Sequence, residues 1–168
     1  MDGEILTGSG WQKICTDFHR KHPQIEKECI ESDTIIRKKL DDGEPYVIYK
    51  CPRGLVDASS PIIIAGEHVA NVFSGQVFLE SRDETTERFF REQARKFGFD
   101  EGEYIKAFKK VPIFKEKKFR AGISFLAKLA QTIADNGLMR LRELEAMESV
   151  RESEEKYRRI IERATDVI

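Results

Sequence analysis

No run in the 168 residues approaches the roughly 20 consecutive apolar positions needed to span a bilayer, and Met1-Asp2-Gly3-Glu4 has no basic-then-apolar leader. A cytoplasmic chain is the expectation. Nor is there an excess of either charge: 29 basic residues face 30 acidic ones, for a net charge of −1, so no bulk field draws the chain to nucleic acid or an anionic membrane. Cysteines number three, odd and widely spaced, which excludes a disulfide scaffold and fits a reducing compartment. There is no glycine-rich phosphate loop and no Ser/His/Asp signature, and the three histidines are scattered, none lying beyond His68. The expectation is therefore a chain that is not an enzyme. Any kinase machinery, with its phosphoacceptor histidine, would lie beyond Ile168.

What is present is a short block of strand formers set among helical patterns. Tyr46 to Cys51, Ser60 to Ala65 and Val69 to Leu79 are β-branched or apolar runs, the last two joined by Ala65-Gly66-Glu67-His68, whose glycine suits a tight reversal. Before them, Trp11, Ile14, Cys15 and Phe18 share one helical face, and a second helix opens at Pro23 and carries Ile25, Cys29, Ile30, Ile36 and Leu40 to a stop at Asp41-Asp42-Gly43. After them, Asp83 and Asp100 are N-cap residues for two helices, the first closed by Gly98. Beyond Pro112 a proline-free periodic segment runs from about Lys115 to the end, with Asn136-Gly137 as its weakest point. Charged residues, 35% of the whole, concentrate there. Leu138, Leu141, Leu144, Met147 and Val150 give this part an imperfect coiled-coil pattern and the expectation of a homodimer through the helix. Asp2 to Gly10 reads as the end of a hairpin whose first strand is absent.

The ordered set Trp11-Gln12-Lys13-Ile14-Cys15, Cys29-Ile30-Glu31-Ser32-Asp33, Cys51-Pro52-Arg53-Gly54-Leu55-Val56-Asp57, Pro61-Ile62 and Ser74-Gly75-Gln76-Val77 resembles the PocR ligand-binding domain of prokaryotic signalling proteins. Residues 152–168 are similar to the opening of a PAS domain. The resemblance implies an α/β (α+β) fold, a PAS-like antiparallel sheet flanked by helices with a long C-terminal signalling helix. The implied organisation is a sensory domain over 1–120 with its N-terminal helix and strand missing, a helix over 121–151 that is packed at first and then coiled-coil-like, and the start of a PAS domain over 152–168. The implied role is sensing a simple hydrocarbon derivative such as a short diol, in a histidine kinase or transcription regulator, with downstream PAS and output domains in the same protein. Many relatives carry histidine where this chain has Pro52.

The expected ligand contacts are Trp11, Cys15, Cys51, Leu55, Pro61, Phe73, Gln76 and Phe78, with no cofactor. Strand alternation puts Phe73 on one side of the sheet and Gln76 and Phe78 on the other unless a bulge at Ser74-Gly75 swaps them. Gln76 both donates and accepts, as an alcohol-like ligand requires. Core packing is the competing role for Trp11, Phe73 and Phe78, solvent exposure for Gln76, and Asp57 reads as a turn cap. Gly54 and Gly75 read as backbone permissions. A different class of function stays open: Cys15, Cys29 and Cys51 could converge, with His19 or His22, on Zn or Fe or act as redox thiols, against burial as small apolar groups. A third reading is a ligand-free dimerisation spacer.

Overall fold

The structure, a computed structural model, describes the backbone of residues 7–40 and 45–165, with side chains over 7–33 and 45–161. The fold is mixed α+β: a three-stranded antiparallel sheet in the order β1-β2-β3, flanked by helices and followed by a long C-terminal helix. The strands are β1 (Val47–Lys50), β2 (Val56–Ile64) and β3 (Glu67–Val77). The helices are α1 (Pro23–Leu40), α2 (Glu84–Phe97), α3 (Glu101–Lys110) and α4 (Glu116–Thr165). Ahead of α1, the chain winds through a π-helical turn at Ile14–Phe18 and a 3₁₀ turn at His19–Lys21 rather than the α-helix that the spacing of Trp11 and Phe18 suggests.

Local chemistry accounts for the helix ends. Pro23 takes the first position of α1, where its missing N–H costs nothing. Asp83 accepts from the Thr86 N–H at 2.7 Å and Asp100 from the Glu103 N–H at 2.8 Å, each a cap of about 1 kcal/mol. Gly98, at φ 71°, closes α2 in the left-handed conformation. At the other end of α3 the Arg82 guanidinium donates to the carbonyls of Phe108, Lys109 and Val111 at 2.8–2.9 Å, satisfying oxygens that the helix itself cannot. The α1 stop expected at Asp41-Asp42-Gly43 lies outside the described residues, as do the side chains of Ile36 and Leu40. α4 runs unbroken through Asn136-Gly137.

Two cores lie on either side of this framework. The larger is aromatic: Phe90 stacks on Phe108 with centroids 4.4 Å apart, Phe78 meets both edge-on, and buried Tyr104 extends the cluster to Phe99 and Phe18. Ring pairs of this kind add about 0.5–1.5 kcal/mol beyond their burial. Tyr104 is also hydrogen-bonded to His19 at 2.7 Å, and burial holds that imidazole neutral, its pKa lowered to about 3. Phe78 is tied to the linker beyond α3 by its N–H to Pro112 and its carbonyl to the Phe114 N–H. The smaller core lies on the other face of the sheet, where Phe119 and Ile123 of α4 bury Ala58 and Val77. Farther along α4, the Gln131 amide accepts from the Ile63 N–H at 3.1 Å and donates to the Ile63 carbonyl at 2.6 Å. It thereby stands in for a strand neighbour where β1 no longer runs beside β2.

The hairpin link is tighter than the sequence pattern suggests. Ile64 pairs with Glu67, leaving two loop residues, Ala65 at φ 54° and Gly66 at φ 86°. Both lie in the left-handed region, as a type I′ turn demands, and alanine is a poor occupant there. Ala65→Asn should therefore stabilise the chain by about 0.5–1 kcal/mol, and Ala65→Val should destabilise it. Urea unfolding of the three chains tests the assignment, and Val equal to or better than Asn would refute the turn type.

Candidate functional site

The site is built by an irregularity in β3. Asp57 of β2 pairs with Gly75, but its neighbour Val56 pairs with Val77, so Gln76 is an extra residue, one position on from the bulge expected at Ser74-Gly75. Gly75 is required at this point. Its φ is 147°, and a Cβ there would sit 2.5 Å from the Asp57 Cα, a backbone atom that cannot give way. Gln76, at φ 58°, is turned out of the ladder. Its N–H is delivered to Asp57 Oδ1 at 2.7 Å, and its Oε1 accepts from the Gln12 N–H at 2.6 Å. Asp57 is thus a cross-strand acceptor within β2, not the turn cap that the sequence suggests. One carboxylate fixes the bulge, and the bulge anchors the segment that leads into the first helical turns.

Alternation along β2 puts Asp57 and Ser59 on the face away from α4, beside Tyr49 of β1. That face is covered by the turns ahead of α1 and by α1 itself. The Tyr49 hydroxyl donates to Asp33 Oδ1 at 2.9 Å, and the Arg20 guanidinium holds Asp33 Oδ2 at 3.1 Å while lying 4.6 Å over the Trp11 ring. Ser59 is 1% exposed, and its Oγ has no hydrogen-bond partner among the described residues. A buried hydroxyl left unpaired costs about 1–3 kcal/mol, and this one lies two residues from Asp57.

Electrostatics follow from the lack of water. Burial raises the Asp57 carboxyl to about 6 against the lowering effect of the Gln76 N–H, with Asp33 adding to the rise and the Cys51 thiol and Arg20 opposing it. Burial, helped by Asp57, pushes the Cys51 thiol up to about 12, and it raises Cys15 further. Cys29 is raised for the same first reason. All three thiols feel one another and all stay protonated at neutral pH. No group of three His, Cys, Asp or Glu side chains among the described residues is placed to hold a metal ion. The cysteines converge, but as neutral groups and weak donors rather than thiolate ligands.

The expected contacts divide into three sets. Gln76 meets Asp57 directly through its N–H, and Cys15 and Cys51 feel the carboxyl's charge, but Cys15 is itself buried in the aromatic core, with Trp11 and Cys51 packed against it. Pro61 and Phe73 lie on the same face farther along the strands, Phe73 opposite Ser59 and 47% exposed. Leu55 and Phe78 are enclosed in the aromatic core. Sequence reasoning passed over Ser59, Tyr49, Asp33, Arg20 and the Gln12 N–H. Ser59 could have been found from its alternation with Asp57, and Asp33 stands within the Cys-x-x-Ser-Asp motif. A separate surface groove of about 520 Å³ runs along α2 and past Phe108. Its Arg91 and Lys109 are paired with Glu87 and Glu101, and it is not part of this site.

A family model described as the sensory domain found in PocR matches residues 1–138, and the chain belongs to that family. It is 39% identical over 62 residues to the Regulatory protein PocR of Salmonella typhimurium (strain LT2), a match that takes in 37% of this chain and 20% of that protein. No solved structure matches. The family is a sensory rather than a catalytic one, and no helix among the described residues is long and apolar enough to cross a membrane.

The Asp57 shift has a measurable sign. Its folded pKa of about 6 exceeds the ordinary 3.8, so its contribution to stability is complete at acid pH and is lost as pH rises through 6. Two pK units correspond to about 3 kcal/mol. Asp57→Asn keeps an acceptor for the Gln76 N–H and removes the charge, so its stability relative to the parent chain should rise by about 2–3 kcal/mol from acid to neutral pH. Urea unfolding across that range reads the difference directly. A flat difference would show that the carboxyl is not desolvated.

Proposed function

We propose that this chain is the small-molecule sensor module of a cytoplasmic prokaryotic signalling protein, a histidine kinase, and that it binds a neutral hydroxyl compound such as a short diol. The ligand lies between the Asp57–Ser59 face of the sheet and the turns that carry Trp11 and Cys15. The observation that supports this best is the unpaired, buried Ser59 hydroxyl two residues from a desolvated carboxylate. Ligand charge follows from the same surroundings. Asp57 is mostly ionised at neutral pH, the thiols are protonated, and the Arg20 cation is already held by Asp33. A carboxylate ligand would be repelled, whereas a hydroxyl can donate to Asp57 and accept from Ser59. A cysteine-based metal sensor has no group of three metal ligands among the described residues to support it.

Relay to the downstream PAS and output domains goes through the sheet. Asp57 faces the ligand and Ala58, its neighbour, is buried against α4; Gln76 and Val77 stand in the same relation on β3. A ligand that binds the two poses of α4 unequally shifts their populations by a coupling of about 1–3 kcal/mol, and a homodimer through α4 carries that shift onward.

A panel of short diols, alcohols, acids and methylated compounds, read by thermal unfolding, tests the reading. A diol at a hundred times its dissociation constant should add about 2.7 kcal/mol to stability. Ser59→Val should abolish that gain while leaving a folded chain, and acids should give none. Replacing Cys15, Cys29 and Cys51 singly by serine should leave diol binding in place. If no compound raises the melting temperature, or if acids alone do, the proposal fails.

A further inference from the structure

α4 is a helix with two opposite apolar faces, and the chain covers only one. At 100° per residue the positions buried against the sheet, Phe119, Ile123 and Ala127, continued by the half-buried Ala130 and Ala134, share one side of the helix. Phe125 and Leu129 project from the far side, about 150° around the axis, 64% and 43% exposed. The far side continues as a regular series. Positions 125, 129, 132, 136, 139, 143, 146, 150, 153, 157 and 160 alternate steps of four and three, the spacing that keeps a seam facing a partner helix. Met139, Val150, Tyr157 and Ile160 on that series are all more than half exposed, and every described residue from Met139 to Ile161 is exposed. Leu138, Leu141 and Leu144, by contrast, lie off this seam; steps of three carry them around the helix.

We propose that this seam, from Phe125 to Ile160, pairs with the same seam of a second copy of this chain as a parallel, in-register two-stranded coiled coil. The inference rests on the reading of α4 as the relay helix of a dimer and assigns its contact face. Three features select a second copy in this orientation. Asn136 falls at an a position, where in-register copies place it against its twin, a device that fixes register and strand number. Asp135, at the preceding g position, then faces Arg140 of the second copy at e. Arg142 at g lies beside the other chain's Glu143, the one charged residue on the seam, which its own Arg140 already holds at 3.0 Å. An antiparallel or shifted pairing loses all three matches.

Disulfide cross-linking of the whole chain tests the seam. The parent chain, with its buried Cys15 and half-buried Cys29 and Cys51, is the blank. Oxidised Met139→Cys should cross-link roughly tenfold more than Leu141→Cys, because only the former meets its twin across a parallel seam. Glu143→Leu should raise the dimer's melting temperature, since it removes the seam's one charge. Equal cross-linking at 139 and 141, or more at 141, overturns the seam, and so does a melting temperature that Glu143→Leu leaves unchanged. A monomer in sedimentation at the highest soluble concentration overturns the dimer as well. Diol stabilisation is read separately on the same samples, so a failure of the seam and a failure of ligand binding are distinguishable.

Discussion

The hydrogen bond from the Gln76 N–H to Asp57 is the contact on which the rest of the fold turns. Without the bulge it secures, β3 would pair with β2 in a continuous register, and a slip of one residue in a strand sends every later side chain to the opposite face. Val77 would leave the α4 core, and Phe78 would leave its place between Phe90 and Phe108. The Gln76 side chain would no longer reach the Gln12 N–H, which anchors the covering turns. The cost is concentrated in two backbone positions, Gly75 and the left-handed Gln76, and in a carboxylate withdrawn from water. Strain and desolvation are placed together where the sheet meets its cover.

That placement sets the proposed ligand face and the proposed relay helix on opposite sides of the same strands. A three-stranded sheet has two faces, and here both are occupied, by the polar cluster on one side and by α4 on the other. The aromatic core lies at the end of the sheet, where Phe78 leaves β3, and holds α2 and α3 as a fixed block. Gln131 adds a second hold on α4, at the hairpin end, so the helix is gripped at both ends of β2.

Much of this was legible in the residues, and the illegible part has a common cause. Pro23, Asp83, Gly98, Asp100 and Pro112 act on their own few neighbours, so the ends they set could be read directly. The strands were found but misbounded: β2 starts at Val56, through Asp57-Ala58-Ser59-Ser60, because polar residues on the pocket face break the apolar pattern that signals a strand. The π-helical turn at Ile14–Phe18 escaped because the spacing of its apolar residues is close to that of an α-helix. Asp57 escaped because its partner lies 19 residues away across a bulge, and local chemistry offers a turn cap as the simpler use. The family motifs picked out Gln76, which meets Asp57, together with Trp11, Cys15 and Cys51, which lie in or against the aromatic core. They could not separate these from Leu55 and Phe78, since core and pocket share the same few strands.

The cysteines show how burial, rather than residue type, decides chemistry. Three thiols near a carboxylate could be read as an incipient metal site, but burial, with the Asp57 charge, holds them protonated in the metal-free chain. Asp57 raises Cys15, Cys29 and Cys51; of the cations that oppose it, Arg20 is bound to Asp33 and stacked on Trp11, and Arg53 is paired with Glu28. Bringing an acidic side chain into such a cluster makes the thiols harder to ionise. The same logic governs the carboxylate. Its charge is tolerated because it receives the Gln76 N–H, and a hydroxyl donor would lower its cost further. Desolvation thus leaves the carboxylate short of donors, and a neutral hydroxyl is one group that would supply one.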